Sequence, residues 1–156
     1  MKVNKRNEIE EWYITENPKG EIYRSLMRVL CDYSDTFYFV TRKELTYDKY
    51  VLKQFKPYII KKYKTKEWAG TITLGPAATV YEVDANEETY HLLVQLTDNL
   101  YDWVAPSLPE DLTFIKNNFE WFYSTTHEEY AHFSFRSQFY KDLICGINGL
   151  QLEQEE

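Results

Sequence analysis

The sequence predicts an α+β fold: an antiparallel-leaning sheet with a hairpin or meander in its C-terminal half and helices packed on one face. Three observations carry this. Apolar residues recur at helical spacing in four stretches, and runs of β-branched and aromatic residues of strand length separate them. Turn pairs such as Gly75-Pro76 and Asn117-Asn118 punctuate the second half. The runs of strands and helices sort into a layered arrangement, read as one α+β domain over residues 1–156. A chain of this length buries roughly two thirds of its unfolded surface without a staple or metal.

Residues 1–16 are polar around Ile9, Trp12, Tyr13 and Ile14, and fit a short helix or an edge segment. Asn17-Pro18 supplies a capping side chain and then a first-turn proline. Ile22, Tyr23, Leu26, Met27, Leu30 and Tyr33 follow at helical spacing, so a helix is predicted over 18–33. Residues 36–41 form the first strand. Residues 46–55 form a second helix with Tyr47, Tyr50, Val51 and Phe55 on its apolar side, and Pro57 stops it. Residues 58–63 fit either strand or helix. Residues 70–74 and 78–83 read as strands joined by Gly75-Pro76. Asn86 caps a third helix, with Glu87 and Glu88 where the helix dipole favours acids. Its stripe runs through Tyr90, Leu93, Val94, Thr97, Leu100 and Tyr101.

Asn117-Asn118 tolerates the left-handed backbone of a two-residue hairpin turn. The register it sets pairs Lys116 with Phe119, Phe114 with Trp121 and Leu112 with Tyr123. One face then holds Leu112, Phe114, Trp121 and Tyr123, and the other Thr113, Ile115, Glu120 and Phe122. A turn at 127–129 returns a strand over 130–135. Phe139, Tyr140, Leu143, Ile144 and Ile147 mark a last helix, before a polar tail at 151–156.

Composition narrows the function classes. Tyrosine (14) outnumbers phenylalanine (9), which points to rings at the core's edge or on a contact surface. The net charge of −7 disfavours general nucleic-acid binding. Cys31 and Cys145 each sit in an apolar helical pattern and are expected as buried thiols in a reducing compartment. The start shows no leader pattern, and no run approaches the roughly 18–20 apolar residues of a membrane helix. A cytoplasmic location without membrane contact is therefore expected.

Five blocks, Glu67-Trp68-Ala69-Gly70-Thr71, Ala78-Thr79-Val80-Tyr81, Leu100-Tyr101-Asp102-Trp103, Leu108-Pro109-Glu110-Asp111-Leu112 and His127-Glu128, resemble in order and spacing a group of uncharacterised bacterial proteins. Some of these are labelled stage III sporulation protein AH. That label implies a membrane-anchored assembly role, which this sequence, with no apolar anchor segment, does not match. The group implies one recurring domain and assigns no activity or catalytic residues.

Four sets of residues carry candidate chemistry. His127, Glu128 and His132 offer metal-binding side chains, but at a spacing of five on a strand-and-turn segment, not the four of a helical zinc site. No metal and no cofactor are expected. His127 beside Glu128, Glu110 and Asp111 is the candidate for acid–base catalysis in a small hydrolase; capping and turn closure are the alternative roles. Seven lysines lie between residues 49 and 66 with no acid and no arginine among them. Lys61, Lys62 and Lys64, interleaved with tyrosines, are the candidates for a nucleotide or small anionic ligand. Residues 67–135 reverse the balance, with 12 acids and one base. Trp103, Trp121, Glu128, Glu129 and Tyr130 are the candidates for an acidic and aromatic surface that engages a protein partner. The leading expectation is a non-enzymatic binding protein of inhibitor, immunity or phage counter-defence type.

Overall fold

Eight antiparallel strands pair into one sheet in a computed structural model that describes residues 8–156. In chain order the elements are β1 (Glu10–Ile14), α1 (Glu21–Tyr33), β2 (Thr36–Thr41), α2 (Lys49–Phe55), β3 (Ile59–Thr65), β4 (Glu67–Trp68) and β5 (Thr71–Ile72). They continue with β6 (Ala78–Asp84), α3 (Glu87–Leu96), β7 (Glu110–Lys116), β8 (Phe119–Thr125), β9 (Tyr130–Phe135), α4 (Gln138–Cys145) and β10 (Leu152–Gln154). The order across the sheet is β10-β1-β9-β8-β7-β2-β6-β3, so β3 and β10 are its edges among the described residues. β4 and β5 form a separate small hairpin.

The helices lie on one face. Tyr23, Leu26, Met27 and Leu30 of α1, Phe55 of α2, Leu93 of α3 and Ile144 of α4 share one buried cluster with Phe37, Phe39, Phe114, Phe122 and Phe133 of the sheet. Burying aromatic rings of this size supplies most of the apolar area removed from water. Tyr23 joins the layer by hydrogen bonds: its hydroxyl donates to the Leu93 carbonyl (2.6 Å) and accepts from Trp103 Nε1 (2.9 Å). The opposite face carries a smaller cluster of Tyr38, Val40, Ala78 and Val80, covered by Trp68 from the β4–β5 hairpin. Gly70 allows that hairpin to close: its φ is +72°, and a Cβ there would meet Tyr123 at 2.8 Å.

Three strand pairs carry a register shift, β7–β8, β2–β7 and, at Ile60, β3–β6, and the first two decide which core side chain faces where. Asn117 and Asn118 adopt the left-handed backbone and pair Lys116 with Phe119, as the turn chemistry predicts. The register then shifts: Phe114 pairs with Phe122, not Trp121, and Thr113, not Leu112, pairs with Tyr123. Trp121 is the extra residue of a bulge, and adjacent bulge residues point to one side. Trp121 and Phe122 both enter the core under the helices. Tyr123 goes to the other face, where it stacks on His132 at 5.0 Å. The second bulge lies between β2 and β7, where Asp111 and Leu112 stand opposite the single residue Phe39.

Several boundaries differ from the sequence reading for local reasons. Helix α1 starts at Glu21 behind Gly20, because Asn17 is engaged elsewhere, donating to Asn99 Oδ1 and accepting from the Tyr101 amide. Residues 71–72 pair back on 67–68 through the Ala69-Gly70 turn, not forward on β6. The ambiguous 58–63 segment becomes edge strand β3. The polar tail contributes β10, which pairs with β1. The predicted N-terminal segment is strand β1 over residues 10–14, and residues 1–7 of it lie outside the described residues. Cys145, at the end of α4, is exposed, whereas Cys31 is buried and its thiol is pushed up to about 12 by that burial.

Trp121 is 3 % exposed, and its indole N–H donates to Ser34 Oγ (2.9 Å). Replacing it by alanine is expected to lower stability by about 3–5 kcal/mol, read from urea unfolding curves. A loss below about 1 kcal/mol would show that the bulge does not seat the ring in the core.

Candidate functional site

The lysines of residues 49–66 are sorted by two periodicities. On α2, Val51 and Phe55 turn into the core. Lys49, Lys53 and Lys56 fall at i, i+4 and i+7, one stripe on the side away from it. On β3, alternation splits Lys61 from its neighbours. Lys62 stands opposite Tyr81, which packs on the helix side, while Tyr63 stands opposite Val80 of the second face. Lys62 and Lys64 therefore share the helix side, and Lys61 lies on the other, 5.0 Å from the Tyr63 ring.

The α2 stripe and Lys62 enclose a cleft of about 410 Å³. Its walls are Lys49, Lys53, Lys56 and Lys62, and its apolar floor is Leu52, Ile59 and Tyr81. Four lysines line it and no carboxylate does. Lys62 Nζ lies 5.4 Å from the Tyr81 ring. Like charges held together without a counter-charge raise the local potential and draw anions. Of the three lysines singled out by sequence, Lys62 lines this cleft; Lys61 and Lys64 do not. The i, i+4, i+7 spacing of Lys49, Lys53 and Lys56 was the visible signal for the rest of the site.

The acids and histidine proposed for catalysis partly converge. Glu110, Asp111 and His127 each bring a ligand atom within 4.8 Å of the others, and Glu128 is outside that group. His127 Nδ1 stands 3.9 Å from Glu110 Oε1, beyond hydrogen-bonding reach. The buried Glu110 carboxylate accepts from the Tyr47 hydroxyl and faces Arg42 Nε at 3.9 Å. Burial and that carboxylate push the Tyr47 phenol well above its ordinary value. The Arg42 guanidinium also lies over the Trp68 ring at 5.1 Å.

Asp111 is fully buried at a φ of +61°, the left-handed position of the β2–β7 bulge that glycine commonly fills. Its Oδ2 accepts from Trp68 Nε1 (2.8 Å) and its Oδ1 from the Thr126 amide (2.9 Å). Its own amide donates to Thr126 Oγ1 (3.2 Å). Both carboxylates are thus engaged by donors, and Arg42 already supplies a cation beside them. The donor set fits a network that holds the β4–β5 hairpin and the 126–128 turn onto the sheet, and does not fit a metal cage. Arg42, Tyr47, Trp68 and Thr126 complete this network, and nothing in their sequence spacing announces it.

Trp103 and Trp121 are core residues, which removes both indoles from the partner surface expected from sequence. Glu128 and Glu129 are exposed and Tyr130 is half-buried, stacked on Tyr13 and tilted against Tyr123. What remains of that surface is a short acidic rim. His132, 4 % exposed, sits on this second face with Nε2 3.2 Å from Glu155 and 3.7 Å from Glu11, far from a pairing with His127 as joint ligands. Among the described residues no helix is long and apolar enough to cross a membrane. No protein-family model, curated protein or solved structure matches the chain.

Asp111→Ala leaves the Trp68 and Thr126 donors unpaired and is expected to destabilise by about 3 kcal/mol or more. Asp111→Gly loses the same bonds but accepts the left-handed backbone. It is expected to retain about 1 kcal/mol more than the alanine variant, measured by chemical denaturation. Equal stability of the two variants would show that the backbone at this bulge is not constrained.

Proposed function

We propose that this protein is a non-enzymatic binding domain whose recognition site is the lysine cleft between α2 and β3, and whose ligand is anionic. The observation that carries this reading is the composition of the cleft: four lysines from two elements, an apolar floor and no carboxylate. Its volume lies within the range of small-ligand sites. The rest of the chain is strongly acidic, so the cleft is a local inversion of the protein's charge.

The acidic rim at Glu128, Glu129 and Tyr130 is the weaker surface for a partner, because its aromatic anchors are in the core. The Glu110–Asp111–His127 group is the weaker candidate for chemistry, because its acids are already hydrogen-bonded. Two cysteines without a disulfide accord with a cytoplasmic setting for the binding function.

Inorganic tripolyphosphate is the simplest probe. At about a hundred times its dissociation constant it is expected to raise the melting temperature by roughly 5–10 °C. The shift is expected to shrink as added salt screens the lysines. The double variant Lys53→Glu, Lys62→Glu is expected to lose the shift while keeping its ligand-free melting temperature within a few degrees. No shift in the wild-type protein, or an equal shift in the variant, contradicts the assignment.

A further inference from the structure

We propose that the lysine cleft and the free edge of β3 are one site, and that its ligand is an extended acidic segment of a partner protein, added to the sheet alongside β3. This rests on the reading of the cleft as an anion site and names the class of anion.

β3 pairs with β6 along one side only, so its outer N–H and C=O groups face no described strand. A peptide laid antiparallel or parallel on that edge extends the ladder about 4.8 Å out along residues 61–65, beyond the irregularity at Ile60. Phosphate chains have no groups that match it. Lys62 and Lys64 flank the edge on the helix side and Lys61 flanks it on the other. An added strand alternates its side chains between the same two faces. Acidic side chains at alternate positions therefore meet Lys62 and Lys64, and the positions between them meet Lys61 and the Tyr63 ring.

Exposed Ile60 and Tyr63 add apolar contact along the strand. Lysines on an edge also serve to block unwanted strand pairing. That role accounts for Lys61, Lys62 and Lys64, but not for Lys49 and Lys53 of α2 and Lys56 at its C-cap, which line the cleft. Residues 49–66 hold no arginine, and lysine presents a point charge and no planar fork, so what separates a peptide from a phosphate chain at this site is the strand edge. A second copy joined β3 to β3 is disfavoured, because it would set lysine against lysine.

The test uses the full chain, with hydrogen exchange of the β3 amides and binding measured together. The probes are a short peptide of alternating glutamate and valine, the same peptide with its alternate amides N-methylated, tripolyphosphate, and a short oligothymidylate. The peptide is expected to bind and to slow exchange of the outward β3 amides. N-methylation leaves the carboxylates in place and removes the donors, and is expected to weaken binding about tenfold or more. Equal binding of both peptides, or binding without β3 protection, overturns the proposal. Tripolyphosphate binding with no peptide binding overturns it while leaving the anion cleft standing, and binding of no probe overturns both. Tighter binding of oligothymidylate than of the peptide, without β3 protection, assigns the site to nucleic acid. Concentration-dependent β3 protection in the absence of any probe assigns the edge to a second copy of this chain.

Discussion

A buried carboxylate at the seam of the sheet organises this protein. Asp111 lies where β7 meets β2, with β10, β1, β9 and β8 beyond β7 on one side and β6 and β3 beyond β2 on the other. Its left-handed backbone makes the bulge, and its two oxygens hold Trp68 and Thr126. A glycine would make the same bend more cheaply but would bring no acceptors. The aspartate accepts backbone strain of about 1 kcal/mol or more, and its hydrogen bonds offset it. Through it the β4–β5 hairpin is held over Tyr38, Val40 and Val80, so both faces of the central strands are covered.

The seam also divides the charge. β2, β6 and β3 lead outward to the lysine edge, and α2 lies beside them with its own lysine stripe. The far edge, β1 and β10, carries Glu10, Glu11 and Glu153. A single antiparallel sheet thus separates a basic pole from an acidic one by its full width. At physiological ionic strength the Debye length is about 8 Å, so the two edges do not neutralise each other through solvent. The field at the cleft is set by the lysines that line it, in a protein whose net charge is −7.

Much of this architecture is legible in the sequence, and the parts that are not have physical causes. Asn117-Asn118 announces the β7–β8 turn, Asn86 announces the α3 cap, and β2 reads directly from its run of β-branched and aromatic residues. The bulge at Trp121 is not legible, because an inserted residue leaves composition unchanged while moving Tyr123 to the opposite face. The pairing of 67–68 with 71–72 is obscured because Gly75-Pro76 is the louder turn signal. For the site, charge along the chain locates the basic segment but not its geometry. Lys61 and Lys62 are neighbours in sequence and lie on opposite faces. Lys49 and Lys62 are 13 positions apart and line one cleft. The Asp111 network joins residues from four separate segments, which no local pattern records.

The central claim is that anion recognition belongs to the lysine cleft. The most direct measurement is a backbone amide chemical-shift map recorded while tripolyphosphate is titrated into the isotopically labelled protein. The account predicts saturable shifts confined to α2, β3 and the neighbourhood of Tyr81, with the amides around Asp111, His127 and Glu129 unmoved. Shifts centred on the 126–130 turn, or small shifts spread over every exposed lysine without saturation, would contradict it.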